Sequence, residues 1–240
     1  MGIYRIHSDI GLTFYKGEEH IHQFNNKNEW IDEKENLNID EECRIDIPSW
    51  QFRYNYEANL LNDIIEKNNF KKIIELGSGP GELGQKLIHD NIDYTFIDQQ
   101  GAYKIFIERK FKGKFKVKDL SNSFDISDLD NDYDFLITND FLEHIYNPSI
   151  IMQNCYKLLK PKGKLFVSVP NWRMGHTFIY RGLFDFDNFI YFAHTHGFDI
   201  TTVYESPLKC DEYPKISSES EMDDRLITSW NWYMLFDINK

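Results

Sequence analysis

The 240-residue sequence has few of the features that mark secreted, zinc-clustered or membrane-embedded proteins. Its three cysteines, Cys43, Cys155 and Cys210, are far apart and form no Cys-x-x-Cys pair, so neither a disulfide framework nor a zinc cluster is indicated. No uncharged apolar run is long enough to span a membrane. Residues 1–12 lack a basic start followed by an apolar core, so no signal peptide is expected. These absences predict a cytoplasmic protein with no membrane partner.

Positive charge is also scarce, since 27 Lys and Arg face 39 Asp and Glu, for a net charge of −12. An acidic surface repels phosphate backbones, so nucleic acid is not an expected partner. The one basic run, residues 109–118 (RKFKGKFKVK), is interpreted as a solvated helix end and a surface strand, with a phosphate-binding patch as the alternative. Hydrophobic residues make up 41% of the chain, which is enough for one sizeable domain, with or without a small appendage.

The chain divides into two regions by pattern. Residues 1–48 are polar and aromatic, and we predict an N-terminal extension with a cap or lid as its candidate role. Residues 4–7 and 12–15 are expected to pair as a hairpin. In residues 49–240, short apolar segments typical of strands alternate regularly with segments of helical spacing. This region is predicted to form the main domain. Its predicted strands are 72–76, 94–98, 115–118, 133–138, 164–169, 198–204 and 230–238, and its predicted helices are 54–68, 82–89, 102–111, 149–160 and 187–196.

Alternation of short apolar strands with helices is typical of a mainly parallel sheet that is covered on both faces. The sequence therefore predicts an α/β, Rossmann-like fold with seven strands. The last strand is expected to run antiparallel to the others.

The strongest chemical signal is residues 75–81 (ELGSGPG), which follow the first strand of the main domain. Glycines at such a turn let the backbone approach a ligand closely, and the next segment presents free N–H groups. This predicts a nucleotide or a nucleoside-bearing cofactor. Residues 79–84 (GPGELG) also satisfy G-x-G-x-x-G, and Asp98 ends the next strand, where its carboxylate would bind ribose hydroxyls. These two motifs alone leave NAD and S-adenosyl-L-methionine as alternatives.

Three further motifs follow in order: residues 118–120 (KDL), residues 138–145 (TNDFLEHI), and residues 158–165 (LLKPKGKL) with 169–171 (VPN). The whole series resembles class I S-adenosylmethionine-dependent methyltransferases, and in particular the small-molecule branch that includes the ubiquinone-biosynthesis O-methyltransferases. The resemblance covers about residues 50–205. The sequence departs from the pattern at Gln99 and Gln100, where small residues are common, and in the short aromatic stretch 172–186.

The resemblance implies S-adenosyl-L-methionine as the cofactor and a set of residues that bind it. The glycine turn would line the methionine part, Asp98 would bind both ribose hydroxyls, and Asp119 would accept the adenine amino group. Arg53 is a candidate for the cofactor carboxylate, with a surface arginine as the alternative. The implied cofactor-binding residues are Arg53, Glu75, Gly77, Ser78, Gly79, Gly81, Asp98, Gln99, Asp119, Leu120 and Asn139.

Histidines are the candidate catalytic bases, because an oxygen nucleophile usually needs deprotonation near neutral pH. His144 and His176 are the two candidates. Asp140, Glu143 and His144 form D-x-x-E-H, whereas the similar quinone O-methyltransferases carry an E-x-x-E-H that is associated with a divalent metal. A structural interpretation, in which the carboxylate caps a turn and the imidazole packs below the sheet edge, is favoured. No metal is therefore predicted, and these three residues are the weak candidate ligands.

The predicted function is S-adenosylmethionine-dependent methyl transfer to an oxygen or nitrogen of a small molecule or glycan precursor. An NAD-dependent oxidoreductase would explain the glycines and Asp98, but not residues 139–144, and no clear Tyr-x-x-x-Lys is present. A non-catalytic, methyltransferase-like scaffold is disfavoured by the intact cofactor motifs. Methylation of nucleic acid is disfavoured because no Asn-Pro-Pro-Tyr-type segment or Pro-Cys occurs, and a protein substrate is an open alternative.

Overall fold

The computed structural model describes residues 3–7, 11–16, 20–22, 48–89, 91–99, 113–120, 124–171, 181–204 and 231–240. Near the N-terminus, strands β1 (Ile3–His7), β2 (Gly11–Lys16) and β3 (His20–His22) form an antiparallel sheet in that order. The predicted hairpin between the first two is confirmed. The third strand was not expected from the sequence. The proposed division of the chain after residue 48 stays a prediction.

The main sheet has seven strands, in the order β6-β5-β4-β7-β8-β10-β9. Strands β4 to β8 pair in parallel, and β10 runs antiparallel to both of its neighbours. This confirms the predicted Rossmann-like α/β sheet and its reversed last strand. The strands are β4 (Lys72–Leu76), β5 (Asp93–Asp98), β6 (Lys114–Val117), β7 (Tyr133–Asn139), β8 (Leu159–Pro170), β9 (Phe198–Tyr204) and β10 (Asn231–Ile238).

Helices cover both faces of this sheet. They are α1 (Pro48–Asn68), α2 (Pro148–Leu158), α3 (Arg181–Phe184) and α4 (Phe186–Thr195). Successive strand residues point to opposite faces, so Ile73 packs in the core under α1 while Ile74 packs in the core under α2 and α4. Among the helices that the structure describes, none combines the length and apolarity needed to cross a bilayer.

Helix α1 is six residues longer at its start than predicted. The apolar spacing that indicated it begins only at Tyr54, although the helix begins at Pro48, a residue suited to a first helical turn. It buries Leu61 and Ile65 against the sheet. Asn69 ends it with a φ of 54°, a left-handed conformation that asparagine tolerates better than most residues.

The predicted helix over residues 82–89 is wrong, because only a 3₁₀ turn at Gly84–Lys86 forms there. Gly81 has a φ of 82°, which no helix allows, and a Cβ on Gly84 would lie 2.4 Å from the Phe96 ring. Close contact with the sheet and a few backbone hydrogen bonds hold the segment: Gln85 donates to Gly81, Lys86 to Leu83 and Leu87 to Gly84. Leu83 and Leu87 are nevertheless buried, as their spacing predicted.

The helix predicted over residues 149–160 ends two residues early, at Leu158. Leu159 pairs with Tyr133 of the sheet, so Pro161 and Gly163 lie within the first residues of β8 instead of closing the helix. The helix predicted over residues 102–111 lies outside the described residues.

The sequence order of the strands reverses between β4 and β7. β4 has β5 on one side and β7 on the other, so the connections leave β4 in opposite directions. In open α/β sheets, such a reversal leaves a crevice outside the carboxyl ends of the strands, and ligands bind there. The glycine turn follows β4 at this edge.

Candidate functional site

The glycine turn after β4 adopts a conformation that favours glycine. Gly77, Gly79 and Gly81 have φ values of 70°, 53° and 82°, in the left-handed region where a Cβ is strained. The backbone N–H groups of Gly77 and Ser78 donate to the Ile97 carbonyl, at 2.9 and 3.1 Å. The turn is therefore fixed to the end of β5.

Two of these glycines have different surroundings. A Cβ on Gly77 would lie 2.1 Å from the ring of Phe141, so the segment after β7 packs directly on this residue. Among the described residues, the nearest atom to a Cβ on Gly79 would be a Glu82 oxygen at 3.8 Å. Gly77 thus serves close packing, whereas the described residues leave the space beside Gly79 open.

Asp98 is held at the opening of this turn. Its Oδ2 accepts a hydrogen bond from the Gly79 backbone N–H at 2.9 Å, and the residue is half-buried at the end of β5. Gln99, which follows it, is also half-buried. Beyond β6, Asp119 is exposed and Leu120 is buried. The predicted cofactor residues after β4, β5 and β6 therefore share one edge of the sheet.

Glu75 lies beneath the turn. The Tyr94 hydroxyl donates to its Oε2 at 2.8 Å, and a Cβ on Gly84 would lie 2.8 Å from the same oxygen. Burial raises the pKa of Glu75 to about 8, with the hydrogen bond from Tyr94 opposing the shift and the nearby carboxylates adding to it. This carboxyl is therefore mostly protonated at neutral pH.

A buried polar network joins α1 to the end of β7. Arg53 is only 4% exposed, and its guanidinium donates to Glu57 Oε1 at 2.7 Å and to Asp140 Oδ2. Glu57 also accepts from the Tyr233 hydroxyl at 2.7 Å and from the Asn139 amide at 3.2 Å. Burial raises the pKa of Glu57, and the charge of Arg53 opposes the shift. The alternative of a surface arginine at position 53 is wrong.

Asp140 is the second centre of this network. Its φ of 47° is unusual for a residue with a side chain. Its Oδ1 accepts from the Ser168 hydroxyl at 2.6 Å and from the Asn231 amide, and its backbone N–H donates to the Ser168 carbonyl at 3.1 Å. Its side chain is 25% exposed, while that of Arg53 is 5% exposed.

A family model supplies the decisive comparison. The model described as "Methyltransferase domain" matches residues 50–206, which is more than half of the chain and includes the strands β4 to β9. The chain belongs to the methyltransferase-domain family.

Individual curated relatives match a shorter part of this chain than the family model does. A ubiquinone biosynthesis O-methyltransferase from Pectobacterium carotovorum is 28% identical over 105 residues, which are 42% of this chain and 44% of the relative. The chain thus matches under half the length of this curated methyltransferase.

Solved structures share the methyltransferase fold. A TehB-like SAM-dependent methyltransferase from Corynebacterium glutamicum aligns with a TM-score of 0.56 at 19% identity, covering 76% of this chain and 86% of that one. A Haloferax volcanii methyltransferase, solved in complex with the Trm112 methyltransferase activator, aligns with a TM-score of 0.59 at 13% identity, covering 84% of this chain and 96% of that one. At these identities the likeness shows the fold alone.

Family and fold imply S-adenosyl-L-methionine as the cofactor. The residues at the carboxyl edge fit such a group in three ways. The space beside Gly79 is open, Asp98 presents a carboxylate suited to ribose hydroxyls, and Asn139 has a buried Oδ1 that accepts no hydrogen bond from any described group. The donors and acceptors of an amino-acid and ribose moiety match this set.

The three residues of the D-x-x-E-H segment, which are the weak candidate metal ligands, have different surroundings in this methyltransferase. Asp140 is bound by Arg53, and the described residues contain no group of three His, Cys, Asp or Glu side chains that could hold a metal ion. Glu143 is fully buried in the 3₁₀ turn Leu142–His144, and its role as a turn cap stays a prediction. Burial raises its pKa well above the usual value. His144 is half-buried, with Nε2 4.0 Å from Glu143 Oε1, and His176 lies outside the described residues.

Sequence reasoning missed four members of the buried network. Glu57 lies four residues after Arg53 on one helix face, a spacing that could have indicated an ion pair. The other three had no local signal, because their partners are far away in the chain: Asn231, for example, is 91 residues from Asp140. The missed residues are Glu57, Ser168, Asn231 and Tyr233.

Proposed function

We propose that this chain transfers a methyl group from S-adenosyl-L-methionine to an oxygen or nitrogen of a small molecule or glycan precursor. The observation that carries the proposal is the open glycine turn that Asp98 holds at the strand-order reversal. The cofactor supplies an electrophilic methyl group on its sulfonium, and the protein supplies orientation. The small-molecule acceptor is supported by similarity to ubiquinone biosynthesis O-methyltransferases, which extends over 105 residues.

The cofactor is proposed to lie across the carboxyl ends of β4, β5 and β7. Asp98 binds the ribose hydroxyls, because a half-buried carboxylate at this point can accept from two neighbouring hydroxyls. The turn at Gly77–Gly81 lets the methionine part approach the backbone, and Glu75 supports that turn from below. The remaining proposed contacts are Arg53, Ser78, Gln99, Asp119, Leu120 and Asn139.

His144 is the proposed base for a hydroxyl acceptor, and His176 is the second candidate. His144 follows the end of β7, is reached by solvent and has an imidazole suited to proton transfer near neutral pH. Residues 1–48 are proposed to cap the acceptor pocket. We propose a cytoplasmic enzyme without a membrane partner, as the widely spaced cysteines and the absence of a long uncharged apolar run in the sequence suggest, and the net charge of −12 supports an acceptor other than nucleic acid.

Calorimetry with two ligands tests the identity of the cofactor. S-adenosylhomocysteine and, separately, NAD are titrated into the wild type, Asp98→Ala and the control Asp93→Ala. Asp93 is exposed at the opposite end of the same strand and pairs with Lys114. We expect only S-adenosylhomocysteine to bind, with Asp98→Ala weakening it by about tenfold or more through loss of charged hydrogen bonds. Asp93→Ala should leave the affinity unchanged.

Binding of NAD alone would instead support an oxidoreductase, and binding of neither ligand would support a scaffold.

A second pair of variants tests His144 as the catalytic base. Release of S-adenosylhomocysteine from S-adenosylmethionine is measured with phenol, catechol and primary-amine acceptors. His144→Ala should lose turnover and keep cofactor affinity, while the exposed control His194→Ala should keep both. Unchanged turnover in His144→Ala would remove it as the base.

A further inference from the structure

An open groove at the amino edge of the main sheet lies away from the glycine turn. The C-terminal ends of α2 and α4 form it, next to the first residues of β8 and β9. Its volume is about 380 Å³, near the lower end of the range for small-molecule sites. The length of a strand, about 20 Å, separates it from the carboxyl edge. The described residues that line this amino-edge groove are Gln153, Tyr156, Lys157, Thr195, His196 and Gly197.

Contacts on several sides fix the ring of Tyr156, which forms one wall of the amino-edge groove. Its hydroxyl donates to the Asn239 carbonyl at 3.1 Å, and a Cβ on Gly197 would lie 2.5 Å from the ring. The Phe198 ring meets it edge-on with centroids 6.1 Å apart, and the Lys240 ammonium lies 5.1 Å from its centroid. The ring is still half-buried rather than buried. This wall is therefore preformed, which reduces the entropy lost when a ligand binds.

The end of α4 supplies hydrogen-bond acceptors to the groove. His196 Nδ1 lies 2.8 Å from the Phe192 carbonyl, and because a carbonyl only accepts, the ring proton is on Nδ1. Nε2 of the neutral ring is then an acceptor. The Thr195 hydroxyl donates to the same carbonyl at 2.8 Å, so its oxygen offers lone pairs alone. The Tyr156 oxygen is in the same position, since its proton is used by Asn239.

Helix α2 supplies the donors. Gln153 and Lys157 are exposed and lie one helical turn apart, so their side chains share one face of the helix. The glutamine amide donates through its nitrogen and accepts through its oxygen, whereas the lysine ammonium only donates. The amino-edge groove thus combines donors on α2 with acceptors from Tyr156 and α4.

This combination selects a ligand whose groups both donate and accept. A carboxylate or a phosphate only accepts, so it would leave the acceptors of Tyr156, Thr195 and His196 unmatched beside the negative ends of two helices. An ammonium only donates, and it would meet the charge of Lys157. A sugar hydroxyl donates and accepts, and the C–H face of a sugar ring is apolar and suits the aromatic wall.

We propose that the amino-edge groove binds a neutral sugar unit through its hydroxyl groups. The proposal goes beyond methyl transfer, because the lining residues share no member with the proposed cofactor and base residues. The sugar is either free or one unit of a longer glycan, and both sources present the same hydroxyl groups.

NMR titrations of the full chain with a sugar panel test the proposal. The neutral monosaccharides are methyl glucoside, methyl galactoside and N-acetylglucosamine, the neutral trisaccharides are maltotriose and chitotriose, and the anions are glucuronate and inorganic phosphate. The proteins are the wild type, Gln153→Ala, Thr195→Val and the control Tyr191→Ala. Gln153 and Thr195 are exposed, so their replacement should not disturb the core. Tyr191 is exposed on α4 and does not line the groove.

We expect at least one neutral sugar to saturate the wild type. Gln153→Ala and Thr195→Val should each weaken it by about three- to tenfold, which is the loss of one hydrogen bond. Tyr191→Ala should leave the affinity unchanged. Tighter binding of a trisaccharide than of its monosaccharide would identify the ligand as a unit of a glycan, and equal binding would identify a free sugar.

Three results would overturn the proposal. The first is a wild type that no sugar of the panel saturates. The second is a sugar affinity that Gln153→Ala and Thr195→Val leave unchanged, since the sugar would then bind elsewhere, for example as a methyl acceptor. The third is tighter binding of glucuronate or phosphate than of every neutral sugar, with loss of that binding in Lys157→Ala, which would show an anion site.

Calorimetry with S-adenosylhomocysteine on the same proteins separates this proposal from the proposed function. Its affinity should be the same in the wild type, Gln153→Ala and Thr195→Val, because the groove lies at the opposite edge of the sheet from the glycine turn. A wild type that binds a neutral sugar in the groove but no S-adenosylhomocysteine would overturn the proposed function and support the sugar site.

Discussion

The two edges of the parallel sheet differ in whether their buried polar groups are hydrogen-bonded. At the amino edge, Asp134 of β7 accepts from the backbone N–H groups of Lys71 and Lys72, at 2.6 and 2.8 Å, and pairs with Lys160. At the carboxyl edge of the same strand, Thr138 and Asn139 each have a buried oxygen that no described group satisfies.

Under the proposed function, the same strand serves stability at one end and cofactor binding at the other. At the amino edge, two backbone N–H groups and a lysine satisfy the carboxylate of Asp134, and these contacts join β4 to β7. The carboxyl edge maintains a strained Asp140 and unpaired acceptors, which lower stability unless a ligand supplies partners. Substitutions at the two edges should therefore separate stability from cofactor affinity.

The largest effect on stability and on cofactor affinity is expected at the carboxyl edge, for Gly77→Ala. The new methyl group would lie 2.1 Å from the Phe141 ring in a backbone with a φ of 70°. Left-handed strain and overpacking together should lower the free energy of unfolding by roughly 2–5 kcal/mol. Chemical denaturation measures this loss, and calorimetry should detect no binding of S-adenosylhomocysteine.

Gly79→Ala is the matched control, because its φ is also positive while its surroundings are open. It should cost only the backbone strain, about 1–2 kcal/mol, and still weaken S-adenosylhomocysteine by filling the space beside the turn. Equal stability losses in the two variants would contradict the close packing of Phe141 on Gly77.

An intermediate effect is expected at the amino edge, for Asp134→Ala. Two backbone N–H groups would lose their acceptor, which should lower the free energy of unfolding by about 1–3 kcal/mol. Affinity for S-adenosylhomocysteine should not change, since Asp134 lies at the end of β7 away from the glycine turn. A clear loss of affinity in a folded Asp134→Ala protein would contradict the separation of the two edges.

Acid should reduce the difference between the wild type and Asp134→Ala. Burial alone would raise the pKa of Asp134, but hydrogen bonds from Lys160 and the backbone outweigh it and lower the pKa. The stability that this carboxylate contributes is therefore present above its ordinary pKa, about 3.9, and is lost as the pH falls through the lower folded value. Denaturation curves of both proteins between pH 7 and pH 2.5 measure this convergence.

The smallest effect near neutral pH is expected for Glu75→Gln. The folded pKa of Glu75 is raised to about 8, so the folded protein binds a proton more tightly than the unfolded chain does. Wild-type stability relative to Glu75→Gln should therefore fall as the pH rises from about 4.5 to 8, and level off above that. Near pH 6 the neutral glutamine should cost less than about 1 kcal/mol, because it replaces a neutral carboxyl. A stability difference that does not vary with pH would contradict the raised pKa.

The pattern of the sequence was sufficient for most of the sheet. The bounds of β4 and β9 agree with the predicted 72–76 and 198–204, because short apolar runs bounded by turns are a local signal. The segment 82–89 has helical spacing as well, yet it forms only one 3₁₀ turn, in which Gly84 packs closely against the Phe96 ring of the neighbouring strand. Its local pattern thus predicted the buried residues Leu83 and Leu87 but not the backbone conformation.

The sequence by itself determined the fold class, the glycine turn and the acid at the end of β5, since each depends on residues that are close in the chain. Only the tertiary structure decided the environment of Asp140. Arg53 and Asn231 reach it from 87 and 91 residues away, on opposite sides in the sequence. Burial and partner charge depend on which distant elements meet, and these fix whether a carboxylate is strained, paired or open to a ligand.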